Sequence, residues 1–162
     1  MALSIKPYIE NKERIHLIGI GGVSMSALGE LLLSLGVPVS GSDRLKTDVT
    51  ARLESLGAKI TYEHKAENVE GTSLIVRTAA VHDDNPEIVR AHALDIPVME
   101  RAEAWGHLMR DYDNVVCLAG THGKTTSTSM MTLMTMEAGL DPTVMVGSNL
   151  PAIGGTLRIG GK

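Results

Sequence analysis

Short apolar runs alternate along the chain with longer stretches in which apolar residues recur every third or fourth position. The first run, Ile15 to Ile20, leads into glycines. In the next stretch, Ser24 to Leu35, the residues Met25, Leu28, Leu31, Leu32 and Leu35 share one helical face. Gly36 stands where a helix C′ glycine belongs. The pattern then predicts a strand over 37–40, a helix over 47–56 stopped by Gly57, and strands over 58–62 and 73–77. Asn85 and Pro86 open another helix as N-cap and first helical residue, and it runs to Leu94. A strand over 96–99 and an amphipathic helix over 101–110 complete the series. Strands alternating with helices in this way predict an α/β fold, a parallel sheet with flanking helices.

Asp111 to Asn114 is a polar break, and the expected domains are 1–112 and 113–162. Beyond it the pattern restarts with a strand over 114–119, a glycine loop, a helix ended by Gly139, and a strand over 143–146. The glycine-rich tail reads as the opening of a β-hairpin. Met130, Met131, Met134 and Met136 read as adaptable core packing, with Ser and Thr on the other face. Cys117 lies in the apolar run Val115-Val116-Cys117-Leu118 and is expected as a buried structural thiol.

Composition narrows the function. Apolar residues make up 43% and charged residues 21%, as in ordinary globular proteins. Phe is absent and aromatics are 2%, so the core is aliphatic and a base-stacking platform is excluded. The formal charge is −4 with no basic cluster, which argues against a nucleic-acid partner. A single cysteine precludes an intrachain disulfide. No apolar run approaches the ~18–20 residues that span a bilayer, and Met1 to Arg14 lacks a signal-peptide core, so no membrane partner and a cytoplasmic location are expected. Of the 6 histidines only His122 lies in a motif. His16 begins a strand and reads as packing or a surface position, and His64, His82, His92 and His107 have no metal-ligand spacing to each other.

Two glycine loops carry the chemistry. Gly19-Ile20-Gly21-Gly22-Val23-Ser24 joins a strand to a helix and satisfies two glycines of G-x-G-x-x-G, with Ser24 in the third place. Such a turn lets the backbone approach a phosphate at a helix N-terminus, as in Rossmann-like folds. Asp43, after the second strand, stands where a ribose-binding acid would. This pattern alone fits NAD, FAD or a UDP-sugar equally. Gly120-Thr121-His122-Gly123-Lys124-Thr125-Thr126 is a shortened P-loop, with Leu118 where the standard form has glycine. Its backbone N–H groups form an anion nest, Lys124 can reach the β- and γ-phosphates of a nucleoside triphosphate, and the Thr125 hydroxyl can ligate Mg²⁺. The expected second domain is therefore the first βαβ piece of a P-loop ATPase domain.

The chain resembles the Mur ligase family. The resemblance rests on His16 to Ser26, Gly41-Ser42-Asp43, Thr78-Ala79-Ala80-Val81, Asn85-Pro86-Glu87, Arg101-Ala102-Glu103, Leu108-Met109-Arg110 and Ala119 to Thr126. It implies a three-domain, ATP- and Mg²⁺-dependent carbon–nitrogen ligase of peptidoglycan synthesis. Such an enzyme joins L-alanine to UDP-N-acetylmuramate through an acyl phosphate. By this resemblance Gly19, Gly21, Gly22, Val23, Ser24, Met25 and Ser26 bind the UDP-sugar, with Asp43, Thr78 and Arg101 on its uridine or sugar part. Gly120 to Thr126 bind ATP, Lys124 and Thr125 act in catalysis, Thr125 holds Mg²⁺ with ligands from outside this chain, and His122 lies near the substrate. L-alanine would be held by a third domain that this sequence lacks, so the expectation is an N-terminal fragment, inactive by itself. A nicotinamide-dependent oxidoreductase, a stand-alone UDP-sugar-binding module and a related ligase that recycles peptides onto UDP-muramate are the rival readings.

Overall fold

A computed structural model describes residues 3–161. The chain divides into two compact units, the first ending at Leu108 and the second starting at Met109. In the first unit a short helix α1 (Lys6–Glu10) precedes β1 (Ile15–Ile18), α2 (Val23–Ser34), β2 (Val39–Ser42), α3 (Asp48–Ser55) and β3 (Lys59–Thr61). A 3₁₀ turn (Ala66–Val69), β4 (Leu74–Arg77), α4 (Pro86–Ala93), β5 (Val98–Glu100) and α5 (Arg101–Met109) follow. The five strands form one parallel sheet in the order β3-β2-β1-β4-β5. Strand order reverses at β1, so the crevice between β1 and β4 at the carboxyl edge is the topological switch point, where ligands of open α/β sheets bind.

The expected parallel sheet is borne out, and its physical basis is local. All four residues of β1 are buried, as a central strand covered on both faces requires. α2 contributes Met25, Ala27, Leu28, Leu31 and Leu32 to the core. α3 starts at a capping box: the Thr47 hydroxyl accepts from Thr50 N–H at 3.3 Å, and the Thr50 hydroxyl accepts from Thr47 N–H at 2.9 Å. α4 starts as expected, with Asn85 Oδ1 accepting from Glu87 N–H at 2.9 Å and Pro86 in the first turn.

Two strands begin later than their apolar runs. Val37 donates to Leu32 O at 3.0 Å and Ile96 to Ala91 O at 2.9 Å. These residues close the preceding helices, as a Schellman-type end requires, and only the residues beyond them enter the sheet. Gly41 and Ser42 therefore belong to β2, opposite Leu17 and Ile18.

The second unit holds α6 (Lys124–Glu137), β6 (Val144–Leu150), a 3₁₀ turn (Pro151–Ile153) and β7 (Gly155–Arg158). β6 and β7 pair antiparallel, so the tail does form a hairpin. The strand expected over 114–119 is not formed. Val115 is 48% and Val116 66% exposed, and Cys117 is exposed, contrary to the buried thiol expected. An apolar run becomes a strand only where neighbours take its N–H and C=O groups, and this run has no ladder partner among the described residues. The unit is thus a helix and an antiparallel hairpin rather than a βαβ piece. The methionines of α6 also depart from expectation: Met130 is 59%, Met131 40% and Met134 68% exposed, whereas Thr132 is buried. No helix among the described residues is long and apolar enough to cross a membrane.

Candidate functional site

Because the strands are parallel, their following loops share one edge of the sheet. Gly19 follows β1, Asp43 follows β2, Thr78 follows β4 and Arg101 follows β5. The first loop is anchored to β2 by Gly19 N–H and Ile20 N–H, which both donate to Ser42 O, at 2.8 and 3.1 Å. Gly22 N–H turns back onto Gly19 O at 3.1 Å. Gly21 N–H donates to Asp43 Oδ2 at 2.8 Å, and Asp43 Oδ1 accepts from Arg44 N–H at 2.7 Å and Leu45 N–H at 3.3 Å. Asp43 thus acts on the loop itself. A Cβ on residue 21 would lie 2.8 Å from Asp43 Oδ2, so only glycine permits this approach.

Gly22 caps α2 without any side-chain hydrogen bond. The N–H groups of Val23, Ser24 and Met25, in the first turn, have no acceptor one turn back, so they and the helix dipole favour an anion there. The side chains of this stretch play other parts. Met25 is fully buried in the core. Ser26 is buried, its hydroxyl donating to Val23 O at 3.0 Å and its N–H to Gly22 O at 2.7 Å. Ser24 accepts from Trp105 Nε1 at both O (3.2 Å) and Oγ (3.1 Å), which fixes the start of α2 against α5. Met25 can therefore serve a ligand only through its backbone, and Ser26 has both its donors engaged. Thr78 and Arg101 are half-buried at the carboxyl ends of β4 and β5, with no hydrogen bond to the glycine loop.

One cluster at this edge escaped the sequence reading. Glu87, fully buried at the start of α4, accepts from His16 Nε2 (3.2 Å) and Asn68 Nδ2 (2.7 Å) on Oε1. Its Oε2 accepts from Ser42 Oγ (2.7 Å) and His64 Nδ1 (2.8 Å). Burial pushes this carboxyl up, but the hydrogen bonds from His16, Asn68, His64 and Ser42 outweigh it and bring it to about 2. The available signal was His16, a polar residue inside a strand otherwise apolar on both faces, which has to find a buried partner.

In the second unit, residues 120–127 are exposed. Gly123 is the N-cap of α6 in the left-handed region, φ 76°, and no side chain caps the helix. The first-turn N–H groups of α6 are again open to an anion. Lys124 Nζ donates to Gly120 O and Thr121 O, so its ammonium lies across the mouth of the loop. Thr125 Oγ1 faces β6, 3.1 Å from where a Cβ on Gly147 would stand. Among the described residues no three His, Cys, Asp or Glu side chains cluster as metal ligands.

A parallel α/β sheet with a glycine loop and an open helix start at its carboxyl edge, followed by a Gly-Lys-Thr loop at a second open helix start, defines an α/β protein with two glycine loops at helix N-termini. The chain belongs to the Mur ligase family: the model of that family's catalytic domain matches residues 14–113. It is 47% identical over 151 residues to the UDP-N-acetylmuramate–L-alanine ligase of Clostridium novyi (strain NT), covering 93% of this chain and 33% of that protein. The crystal structure of the UDP-N-acetylmuramate–alanine ligase of Thermotoga maritima superposes with a TM-score of 0.86 at 37% identity, over 91% of this chain and 35% of that one. A UDP-N-acetylmuramate:L-alanyl-γ-D-glutamyl-meso-diaminopimelate ligase from Neisseria gives a TM-score of 0.84 at 26% identity, over 91% of this chain and 46% of that one. The chain thus spans about a third of the curated relatives it matches. Family membership leaves the nicotinamide-dependent oxidoreductase reading without support.

Proposed function

We propose that the chain supplies the UDP-N-acetylmuramate-binding unit and the start of the ATP-binding unit of a ligase that joins L-alanine to UDP-N-acetylmuramate in peptidoglycan synthesis. The observation that carries this reading is the likeness across 93% of the chain to a ligase of that specificity, with both glycine loops inside the matched length. The lower identity to the peptide-recycling ligase ranks that alternative second.

In this reading the N–H groups of Gly22, Val23, Ser24 and Met25 hold the UDP pyrophosphate, with Gly19 and Gly21 shaping the turn and Asp43 clamping it through Gly21. Ser26 supports the first turn of α2 from within. Thr78 and Arg101 contact the uridine or sugar part from the ends of β4 and β5. In the second unit Gly120, Thr121, His122, Gly123 and Thr126 cradle the ATP phosphates. Lys124 leaves its carbonyl partners to neutralise charge on the transferred phosphoryl group, and His122 lies near the muramoyl carboxylate. The Thr125 hydroxyl would hold Mg²⁺, which would supply charge neutralisation for phosphoryl transfer. The open first turn of α6 and its exposed loop fit a triphosphate. The muramoyl carboxylate takes the γ-phosphoryl group of ATP to give an acyl phosphate and ADP, and the amine of L-alanine then attacks the acyl carbon to form the amide, with inorganic phosphate and a proton leaving.

Amide-resolved NMR of the ¹⁵N-labelled chain tests the two-site arrangement. UDP-N-acetylmuramate is expected to shift amides of residues 19–26, and ATP with Mg²⁺ those of residues 120–126. Perturbation of neither loop by its ligand would overturn the reading.

A further inference from the structure

An ionised carboxylate only accepts hydrogen bonds, so every group that touches Glu87 must donate to it. His64 therefore carries its proton on Nδ1, 2.8 Å from Glu87 Oε2, and His16 carries one on Nε2, 3.2 Å from Oε1. The Ser42 hydroxyl donates to Oε2 at 2.7 Å, which turns its oxygen toward His64 Nδ1, 3.2 Å away. In a neutral imidazole with Nδ1 protonated, Nε2 is an acceptor. His64 is 19% exposed, and its Nε2 has no partner among the described residues and is not among the buried unpartnered atoms. The ring is therefore anchored from inside and accessible at its acceptor end. Its anchor point also belongs to the glycine loop, because the carbonyl of Ser42 holds Gly19 and Ile20.

We propose that Glu87 is a positioning residue of the nucleotide-sugar site. It locks His64 in the Nδ1–H tautomer, and His64 Nε2 accepts a hydrogen bond from a hydroxyl or imide N–H on the nucleoside half of the ligand. This rests on the nucleotide-sugar reading of the first loop. A tautomer set by a buried carboxylate gives the site a fixed acceptor beside a fixed array of backbone donors, so the diphosphate and the nucleoside are recognised by groups of opposite polarity. His64 and Glu87 lie 23 residues apart, on a turn and a helix brought together only by the fold.

The test uses UDP and inorganic pyrophosphate as probes on the whole chain, with His64→Ala and Glu87→Gln variants. Nitrogen-15 spectra of the imidazoles are expected to show His64 protonated on Nδ1 in the unsubstituted chain. His64→Ala is expected to weaken UDP binding by about ten-fold, the scale of one hydrogen bond, while leaving pyrophosphate affinity unchanged in a chain whose Trp105 fluorescence reports a folded first unit. Glu87→Gln is expected to release the ring to the Nε2–H form and to weaken UDP binding in step. UDP binding unchanged in His64→Ala, or His64 protonated on Nε2 in the unsubstituted chain, overturns the inference and leaves the site reading standing. A chain that binds neither UDP nor pyrophosphate overturns both.

Discussion

Replacing Glu87 with Gln removes a charge that four donors converge on, and the structure sets the size and pH dependence of the loss. The carboxyl titrates at about 2 in the folded chain against an ordinary 4.5. At ~1.4 kcal/mol per pH unit the difference corresponds to about 3 kcal/mol of stability. The folded value is the lower one, so this contribution is complete above about pH 4.5 and is lost as pH falls toward 2. About 2 kcal/mol of it should have gone by pH 3. Trp105 is the only tryptophan, is buried and bonds Ser24, so urea unfolding followed by its fluorescence reports the first unit by itself. The stability gap between the chain and Glu87→Gln should be about 3 kcal/mol at pH 5 and shrink steadily by pH 3. A gap that stays constant, or widens, over that range would refute the reasoning.

Other outcomes follow from single contacts. Gly21→Ala puts a methyl where Asp43 Oδ2 stands, at 2.8 Å, and should weaken UDP binding by at least about ten-fold in a calorimetric titration, because the clamp on the loop opens. Asn85→Ala removes the cap of α4 and should cost about 1 kcal/mol in the same fluorescence-monitored unfolding. Lys124→Ala should abolish measurable ATP binding while leaving UDP binding intact, since the two loops lie in separate units. Cys117 should react at once with a thiol reagent in the folded chain, because it is exposed; protection until denaturant is added would contradict its described position.

The sheet was legible because β1 and β4 are built on the apolar runs Ile15 to Ile18 and Leu74 to Val76, and helices with readable caps separate the strands. Thr47, Asn85 and Pro86 announce helix starts through local hydrogen bonds that sequence spacing encodes. Strand starts were less legible, because Val37 and Ile96 look like strand residues yet their N–H groups satisfy the end of the preceding helix. The run 115–119 misled for the complementary reason: β propensity describes a residue that fits a sheet, and no described neighbour supplies one. The same holds for Met130 and Met134, whose apolar character says that they pack and not what they pack on. Of the candidate site, the position of the two loops could be read because it depends on local backbone geometry, whereas Asp43, expected as a ribose-binding acid, is engaged by the N–H groups of Gly21, Arg44 and Leu45. The Glu87, His16 and His64 cluster could not, because its members are 71 and 23 residues apart and meet only when β1, the turn after β3 and α4 are assembled.

The central claim is that the first unit holds a UDP-sugar. Calorimetric titration of the whole chain with UDP-N-acetylmuramate, with NADH as the control, tests it most directly. The account predicts binding near the micromolar range, about −8 kcal/mol, with NADH silent. Binding of NADH without the UDP-sugar, or of neither by a chain whose Trp105 fluorescence reports a folded first unit, would contradict it.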